Sequence, residues 1–377
     1  MSFIYSIKSD VPQYKYDQYE VYELMAPHIE PRQRNIFKVL LRSTKIRQRY
    51  FSGDLEHLIQ GALANNVTQK FEIWETESLN YLSKQIEQLL NESGLSADQI
   101  DGICVNSTSG VITPGLDVLL ADLFNLREDI VRFPFFSYAC TGGLIAMNRM
   151  SEYLRLYPNK CLIYCCTETN SPHLQLTDTM SSLMHNSIFG DGFATILMVG
   201  AEHDLAADAQ VEIRDTKSML ITQGRKSLTY TMDNTGFKGQ LSASLPDILK
   251  ANIKKPVEEL LCNNNIGKED LRYVVTHIGG PKVIRLITEA LGLPDDIIST
   301  SLETYRNYGN QGSVSILNSL MKELEGNEEQ GLSMFMAMGP GISIELSHAI
   351  LRPWKNSDKQ ASQSACQHKE HKQKTVV

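Results

Sequence analysis

A cysteine at the junction between a predicted buried strand and a predicted helix is the strongest candidate for chemistry in this sequence. β-Forming residues run from Phe133 to Tyr138, a glycine pair permits a sharp turn, and apolar residues at helical spacing follow from Leu144. Cys140 is therefore predicted to lie just before a helix N-terminus, where unpaired amide groups and the helix dipole favour an anion. Such a position would lower the pKa of the thiol and make it a nucleophile. An unreactive buried cysteine is the alternative that this segment alone leaves open.

Four glycine-rich motifs elsewhere in the chain could supply partners for this thiol. They are Phe189-Gly-Asp-Gly192, His277-Ile-Gly-Gly-Pro281, Tyr308-Gly-Asn-Gln-Gly-Ser313 and Met338-Gly-Pro-Gly341, each at a predicted strand end, tight turn or helix start. Each motif alone is weak evidence, since glycine turns at strand ends are common. Together they supply the imidazole of His277, which could stabilise a thiolate, and the carboxamide of Asn310; both groups can donate to an oxyanion.

The elements that must position these residues alternate between strand-like and helix-like patterns, which predicts a layered α/β fold. Helical periodicity covers 76–91, 116–126, 245–261 and 284–291, and buried-strand patterns cover 102–106, 160–167, 194–199, 273–277 and 333–337. Two halves are predicted, at 1–210 and 211–353. The remaining tail, 354–377, has almost no apolar residues and is predicted to be disordered.

Composition limits the classes of partner. The formal net charge of −8 argues against nucleic acid, and no stretch has the uninterrupted apolar run that a membrane span needs. Seven cysteines, an odd number, favour reduced thiols and a cytoplasmic location. Cys161, Cys165 and Cys166 fall in a predicted strand, where side chains alternate between faces, and no matching Cys/His pair follows. No metal site is therefore expected.

The five motifs, in this order, resemble those of the type III polyketide synthases, the chalcone synthase-like branch of the thiolase superfamily. The resemblance runs from about Ile4 to Arg352. It implies a homodimer of five-layered αβαβα subunits, each built from two similar halves, that takes acyl-CoA and malonyl-CoA as substrates. It also implies that neither a metal nor an organic cofactor is needed.

Individual residues match the family motifs at several positions. The resemblance implies that Cys140 is the acyl-accepting nucleophile and that His277 and Asn310 complete the catalytic set. It implies that Phe189 separates the coenzyme A tunnel from the reaction chamber and that Gly339, Pro340 and Gly341 shape the chamber wall. The resemblance also implies that the basic residues Lys45, Arg47 and Arg49 lie in the region that contacts the coenzyme A phosphates in relatives. The alternative is that these residues belong to a solvated helix end. Gly279 and Gly280 would let the pantetheine arm approach the backbone.

The chain departs from the plant chalcone-forming pattern at the chamber positions. Thr113, Gly239 and Gly312 are smaller than the usual residues, which predicts a longer or wider cavity. Other replacements would make the cavity smaller. Asn170 or His173 stands near a position usually held by threonine, and His185 replaces a glycine, so these residues add volume and polarity. These trends conflict, so the sequence leaves the cavity size open. We expect an aliphatic acyl-CoA starter and a triketide or tetraketide pyrone or resorcinol.

The implied reaction is a decarboxylative Claisen condensation through a Cys140 thioester. One alternative is the single condensation of a β-ketoacyl-carrier-protein synthase III, although Ile278-Gly-Gly-Pro281 and the Gly339-Pro-Gly341 loop favour the polyketide reaction. Chemistry similar to that of HMG-CoA synthase would need a glutamate base, for which Glu168 is a remote candidate. A non-catalytic scaffold on the same fold is the last alternative, and the joint presence of Cys140, His277 and Asn310 argues against it.

Overall fold

The computed structural model describes residues 1–177, 179–233, 236–242 and 244–353. The predicted tail, 354–377, lies outside the described residues. The strands are β1 (Ser2–Asp10), β2 (Tyr14–Asp17), β3 (Gln48–Phe51), β4 (Gly102–Ser107), β5 (Val131–Phe136), β6 (Cys161–Glu168), β7 (Gly192–Gly200), β8 (Val211–Leu220), β9 (Leu228–Asp233), β10 (Gly236–Leu241), β11 (Leu271–Thr276), β12 (Gly331–Gly339) and β13 (Ser343–Leu351).

The helices are α1 (Gln18–Met25), α2 (Pro31–Ser43), α3 (Leu55–Leu63), α4 (Val67–Ser93), α5 (Leu116–Leu123), α6 (Gly142–Leu156), α7 (Met180–Ile188), α8 (Leu245–Asn252), α9 (Lys254–Asn263), α10 (Pro281–Leu291), α11 (Ser299–Tyr308) and α12 (Val314–Gly326). Strands and helices alternate as predicted from β4 to β7, whereas β7 to β10 and α10 to α12 follow one another without alternation. No helix in the described parts of the chain is both long and apolar enough to span a bilayer.

Nine strands form one sheet in the order β11-β12-β13-β8-β1-β7-β6-β4-β5, and the same pairing pattern occurs in it twice. In the N-terminal part, β4 is parallel to β6, and β6-β7 and β7-β1 are antiparallel. In the C-terminal part, β11 is parallel to β12, and β12-β13 and β13-β8 are antiparallel. The two patterns meet where β1 pairs with β8. This repetition confirms the two similar halves, while the boundary at residue 210 stays a prediction.

Alternating side chains along the strands build three apolar cores, because successive residues of a strand face opposite sides. On β6, Ile163 packs in a core with α4 and α5, whereas Tyr164 packs in a second core with α6 and α12. On β12, Phe335 joins the second core and Met334 packs in a third core with α8, α9 and α10. Helices α6 and α12 are thus the middle layer between two sheet halves, each covered outside by further helices. The predicted αβαβα order is confirmed.

Three details differ from the sequence predictions. The strand before Cys140, β5, alternates between half-buried and exposed residues instead of being buried, because it is the last strand of the sheet order. The single predicted helix at 245–261 is two helices, which meet at Ile253. Asn310 was predicted at a helix start, but α12 begins four residues later, at Val314.

Candidate active site

Cys140 lies in a short turn of 3₁₀-helix, Ala139–Thr141, directly before α6 begins at Gly142. The predicted junction of strand, cysteine and helix is therefore confirmed. The chain reaches it through two left-handed backbone conformations at non-glycine residues, Ser137 with φ 71° and Ala139 with φ 44°. Such conformations cost free energy and persist only where the surroundings impose them. Here the Ala139 amide donates to Thr108 Oγ1 over 3.0 Å, which helps to hold the turn.

The Cys140 side chain forms part of the wall of a cavity with an empty volume of about 400 Å³, including the part open to solvent. The wall is built from the turn after β4, the Cys140 turn, the end of β6 with the segment after it, the end of α7, strand β9 and the loop between α11 and α12. Its residues are Thr108, Ser109, Ala139, Cys140, Glu168, Asn170, His173, His185, Phe189, Tyr230 and Gly312. The nucleophile is thus accessible from a cavity, although its residue is only 6% exposed.

The electrostatic environment of Cys140 differs from the sequence prediction. Burial, together with the nearby carboxyl of Glu168, raises the pKa of the thiol to about 12, and a local backbone hydrogen bond opposes this only in part. The predicted lowering of the thiol pKa by the helix terminus is therefore wrong. Removal of water from a buried anion outweighs the helix dipole, whose effect is typically about 1 kcal/mol or less. The resting cysteine is a neutral thiol.

Glu168 places a buried carboxyl group in the same cavity wall. Its Oε1 accepts from Ser313 Oγ over 2.5 Å, and its Oε2 accepts from the amides of Thr108 and Ser109. Burial raises the pKa of this carboxyl even though these hydrogen bonds oppose the shift. The Ser313 hydroxyl in turn accepts from Asn106 Nδ2. These contacts fix the end of β6 to the loop that carries Asn310.

His277 directly follows β11 and is 2% exposed. Neither ring nitrogen has a hydrogen-bond partner among the described residues. Burial lowers the pKa of this imidazole to about 4, so the ring is neutral at physiological pH. The thiolate–imidazolium pair suggested by the sequence is therefore absent from the resting state of the described chain. A neutral imidazole with two unused nitrogens can instead accept or donate one proton as a substrate requires.

Asn310 is buried in the loop between α11 and α12, and its carboxamide has a defined orientation. Its Oδ1 accepts from the Gly312 amide over 2.9 Å. Its backbone is fixed by hydrogen bonds with Ile188 and Gly190, and it forms an isolated β-bridge with Phe189. The side-chain nitrogen of Asn310 is therefore the donor that can form a hydrogen bond with a ligand.

The loops that carry His277 and Asn310 come together beside Phe189. Ile278, the residue after His277, packs in one apolar cluster with Tyr305 of α11 and Ile188, and Phe189 packs against this cluster. Phe189 also belongs to the cavity wall. His277 and Asn310 themselves are not part of that wall as the described residues define it. The structure therefore brings both loops next to Phe189, which lines the Cys140 cavity.

Two close backbone contacts fix the nucleophile relative to the other half of the molecule. A Cβ atom at Gly143 would lie 2.1 Å from the Ser313 carbonyl oxygen, so the first turn of α6 touches the start of α12. A Cβ at Gly339 would lie 3.0 Å from the Thr141 amide nitrogen. Gly143 is required by the space, because no larger residue fits there without movement of a backbone, whereas a side chain at Gly339 would need the Thr141 turn to shift slightly.

Comparison with known proteins identifies the family. Residues 24–281 match the sequence profile described as "FAE1/Type III polyketide synthase-like protein". Residues 212–352 match the profile "Chalcone and stilbene synthases, C-terminal domain". The chain belongs to the type III polyketide synthases.

Individual relatives of this polyketide synthase include bacterial enzymes. It is 27% identical to 1,3,6,8-tetrahydroxynaphthalene synthase of Streptomyces peucetius subsp. caesius, over 93% of this chain and 92% of the relative. It is 24% identical to 3,5-dihydroxyphenylacetyl-CoA synthase of Amycolatopsis orientalis, over 89% of this chain and 90% of the relative. The crystal structure of 1,3,6,8-tetrahydroxynaphthalene synthase from Streptomyces coelicolor A3(2) has the same fold, with a TM-score of 0.84, 24% identity and coverage of 93% of this chain and 100% of the other.

The remaining chamber residues of the polyketide synthase are distributed unevenly around the cavity. Asn170, His173, Phe189 and Gly312 line it. Gly239 pairs with Tyr230 in the β9-β10 hairpin, and a Cβ there would lie 3.0 Å from the Tyr230 ring. Gly312 has φ 57°, and its Cβ would lie 3.2 Å from Glu168. Side chains of neighbours thus occupy the space that the two glycines were predicted to open.

Other predicted pocket residues lie outside the cavity wall. Thr113 is exposed in the single chain. Gly339 contacts the Cys140 turn through Thr141, and Pro340 and Gly341 follow it in the turn between β12 and β13. Gly341 has φ 129°, a conformation that favours glycine.

The three basic residues predicted to contact coenzyme A have different environments. Lys45 and Arg47 are exposed, and Arg47 pairs with Glu303 and donates to Asn307 Oδ1. Arg49 is 1% exposed, and its guanidinium donates to the carbonyl oxygens of Asn186 and Phe189. Arg49 is therefore excluded from the coenzyme A contacts, because its cation supports the Phe189 turn from inside the protein.

Several cavity residues were missed as site residues by the sequence analysis. Glu168 and His185 were noticed only as a remote base and as a bulky replacement, and Tyr230 was not singled out. Tyr230 lies in a short hairpin strand opposite Gly239, and its ring contacts Phe189 edge-on at 6.4 Å between centroids. The one available signal for Glu168 was a carboxylate at the end of a fully buried strand.

Proposed function

We propose that this chain joins an acyl-CoA starter to malonyl-CoA by decarboxylative Claisen condensation, with the growing chain held as a thioester on Cys140. The observation that carries the proposal is the position of the thiol, at the front of α6 and in the wall of a cavity. Membership of the type III polyketide synthases supports it. No metal or organic cofactor enters the proposed reaction.

Starter loading requires a proton to leave the thiol, because the thiolate is the nucleophile. Cys140, with a pKa raised to about 12, and His277, with a pKa lowered to about 4, are both neutral at rest. In the proposed step the imidazole accepts the thiol proton while Sγ attacks the thioester carbonyl. The bond between that carbonyl carbon and the coenzyme A sulfur then breaks, and the imidazolium returns the proton to the departing coenzyme A thiolate.

Chain extension follows when malonyl-CoA loses its carboxylate as CO2 and the electron pair moves into a thioester enolate. A neutral His277 N–H and Asn310 Nδ2 are the proposed donors to the enolate oxygen. The hydrogen bond that Asn310 Oδ1 accepts from Gly312 supports this role, since it directs the amide nitrogen away from that partner. The enolate carbon then attacks the Cys140 thioester and expels its thiolate, and the extended chain returns to Cys140 or cyclises. The apolar ring of Phe189 favours formation of neutral CO2.

The proposed entry route for the pantetheine arm passes the loop after β11. Among the described residues, a Cβ at Gly280 would meet no atom within 4 Å, and one at Gly279 would meet the His277 ring alone, at 3.6 Å. The open space around these glycines supports a path that ends beside His277. Lys45 and Arg47, both exposed, are the proposed contacts for the coenzyme A phosphates.

The proposed product is short. We propose a triketide or tetraketide that closes to a pyrone or resorcinol, formed by two or three extensions of the starter.

The test is mass spectrometry of the intact protein and of its products, with malonyl-CoA and a panel of acyl-CoA starters. We expect an acyl adduct on Cys140 and products that contain two or three malonyl-derived units. Cys140→Ala should abolish both, whereas Cys262→Ala, which removes an exposed thiol, should change neither. An adduct that persists in Cys140→Ala would locate the nucleophile elsewhere. Turnover only with carrier-protein malonyl, and with one extension, would indicate the β-ketoacyl-carrier-protein synthase reaction instead.

A further inference from the structure

His185 is a buried imidazole in the cavity wall that the mechanism above does not use. It lies in the last turn of α7, is 7% exposed, and stacks at a tilt against Phe189 with 4.7 Å between ring centroids. Neither ring nitrogen has a hydrogen-bond partner within the described ranges of the chain. A buried polar group without a partner costs about 1–3 kcal/mol, so a site of this kind is built for a polar ligand.

Three other polar side chains of the cavity wall already form hydrogen bonds. Asn170 Nδ2 donates to the Gly190 carbonyl over 2.7 Å, and His173 Nε2 lies 2.7 Å from the Ser109 carbonyl oxygen. Glu168 is held by Ser313 and two backbone amides. His185 differs from these three residues, because neither of its ring nitrogens has a hydrogen-bond partner in the described part of the chain.

The charge state of His185 defines which ligand atoms it can bind. Burial lowers the pKa of the imidazole to about 3, and the positive charges of Arg49 and Lys70 and the imidazole of His173 act in the same direction. The ring is therefore neutral during turnover, with one N–H donor and one nitrogen acceptor. Cationic neighbours also favour an electron-rich ligand atom at this end of the cavity. A carbonyl or enol oxygen satisfies these conditions, and an alkyl chain leaves the ring without a partner.

We propose that His185 binds an oxygen of the acyl chain and so selects short, oxygen-bearing acyl groups over alkyl chains of the same length. The inference rests on the proposed function, since it assumes that the acyl chain enters this cavity from Cys140. It replaces the aliphatic starter expected from the sequence with a β-keto acyl group.

A matched pair of starters tests the inference directly. Acetoacetyl-CoA and butyryl-CoA have the same number of acyl carbons and differ by one keto oxygen. We expect the wild-type kcat/KM for malonyl-dependent extension to be about tenfold higher for acetoacetyl-CoA, the effect of one hydrogen bond worth roughly 1.4 kcal/mol. His185→Phe should reduce that ratio to about one, and His185→Gln, which keeps a donor and an acceptor, should retain part of it. His28→Gln, at an exposed histidine, should leave the ratio unchanged.

The outcomes separate this inference from the proposed function. A wild-type enzyme that uses butyryl-CoA as well as or better than acetoacetyl-CoA overturns the role of His185, even where a variant fails to fold. An unchanged preference in a folded His185→Phe overturns it as well. Absence of any acyl adduct on wild-type Cys140 would instead refute the proposed function. A merely structural role for His185 would lower the kcat/KM for both starters equally and leave their ratio intact.

Discussion

At the scale of single residues, burial decides the chemistry of this site more than the helix dipole does. Cys140 lies where a helix terminus should favour its thiolate, yet the surrounding protein raises the pKa of the thiol to about 12. The buried His277, whose pKa is lowered to about 4, cannot supply a compensating positive charge at rest. Reactivity must therefore arise when a substrate brings the thiol and a proton acceptor together.

The pH dependence of alkylation tests this directly. Because the thiol titrates far above neutrality, its thiolate fraction rises about tenfold for each pH unit below its pKa. We expect the rate of iodoacetamide reaction at Cys140 in the free enzyme to rise in this way from pH 7 to pH 10, with no plateau. Peptide mapping should locate the label, and the exposed Cys262 provides an internal comparison. A plateau at or below neutral pH would show a stabilised thiolate and contradict the burial argument.

Asn310→Ala should separate the two half-reactions. Loss of one oxyanion donor typically costs on the order of 10²–10³ in rate, so we expect malonyl decarboxylation to fall by that factor. Starter loading should remain largely intact, since it needs only the thiol and a proton acceptor. Decarboxylation can be followed by release of CO2 and loading by protein mass. Asn91→Ala, at an exposed position of α4, is the control, and equal loss of both steps would refute this division of labour.

Catalytic residues could be predicted from the sequence where they belong to a motif. Residues that only tertiary packing brings to the cavity were harder to predict. The Cys140 junction follows from local propensities, and the structure bears it out. The roles of Glu168, His185 and Tyr230 depend on which side chains the sheet and the β9-β10 hairpin bring to one cavity. No short spacing in the sequence encodes that convergence. The burial that sets the pKa of Cys140 is likewise a property of the assembled layers.

At the scale of elements, the contact between the first turns of α6 and α12 determines how the two halves fit together. Gly143→Ala would place a methyl group 2.1 Å from the Ser313 carbonyl oxygen, a backbone atom that cannot move without its helix. We expect a loss of roughly 3 kcal/mol in the free energy of unfolding, the upper end of the usual cost of overpacking. Urea denaturation measures this change.

A second helix glycine is the matched control. Gly326, at the end of α12, has no atom within 4 Å of its would-be Cβ. Gly326→Ala should therefore be neutral or stabilise the protein by up to about 1 kcal/mol, through helix propensity. Equal effects of the two substitutions would show that the α6–α12 contact is looser than described.

The longest apolar strands could be predicted from periodicity, whereas other elements, among them β1, β8 and α2, were not predicted. The strands β4, β6, β7, β11 and β12 match their predicted runs within a few residues, because continuous apolar runs of this length are typical of buried strands. β5 has a similar β-forming composition, but its place at the end of the sheet order leaves it half exposed. Sheet order depends on long-range pairing, which local sequence does not reveal.

At the scale of the whole molecule, we predict that a second copy of the chain covers the β5 end of the sheet. Three exposed apolar residues lie at or just after the same ends of the paired strands β4 and β5: Val111, Phe136 and Tyr138. An exposed apolar group of this kind beside a strand edge favours association. Thr113, predicted to lie where relatives reach across the dimer, belongs to the same loop as Val111.

Sedimentation analysis can test the predicted homodimer. We expect the mass of the wild-type protein in solution to be twice that of the chain. Phe136→Asp should weaken the dimer, since it would bury an unpaired charge in the interface. Leu156→Asp, at an exposed leucine at the far end of α6, should leave the dimer intact. A wild-type protein that sediments as a single chain would contradict the prediction.

The contact between α6 and α12 has one more consequence. Cys140 precedes one of these helices and Asn310 precedes the other, so the distance between sulfur and carboxamide depends in part on this contact in the middle layer. Mild warming or low urea that loosens the contact should misalign the two groups while every helix and strand remains formed. Synthesis of new carbon–carbon bonds would then fail before circular dichroism registers any melting.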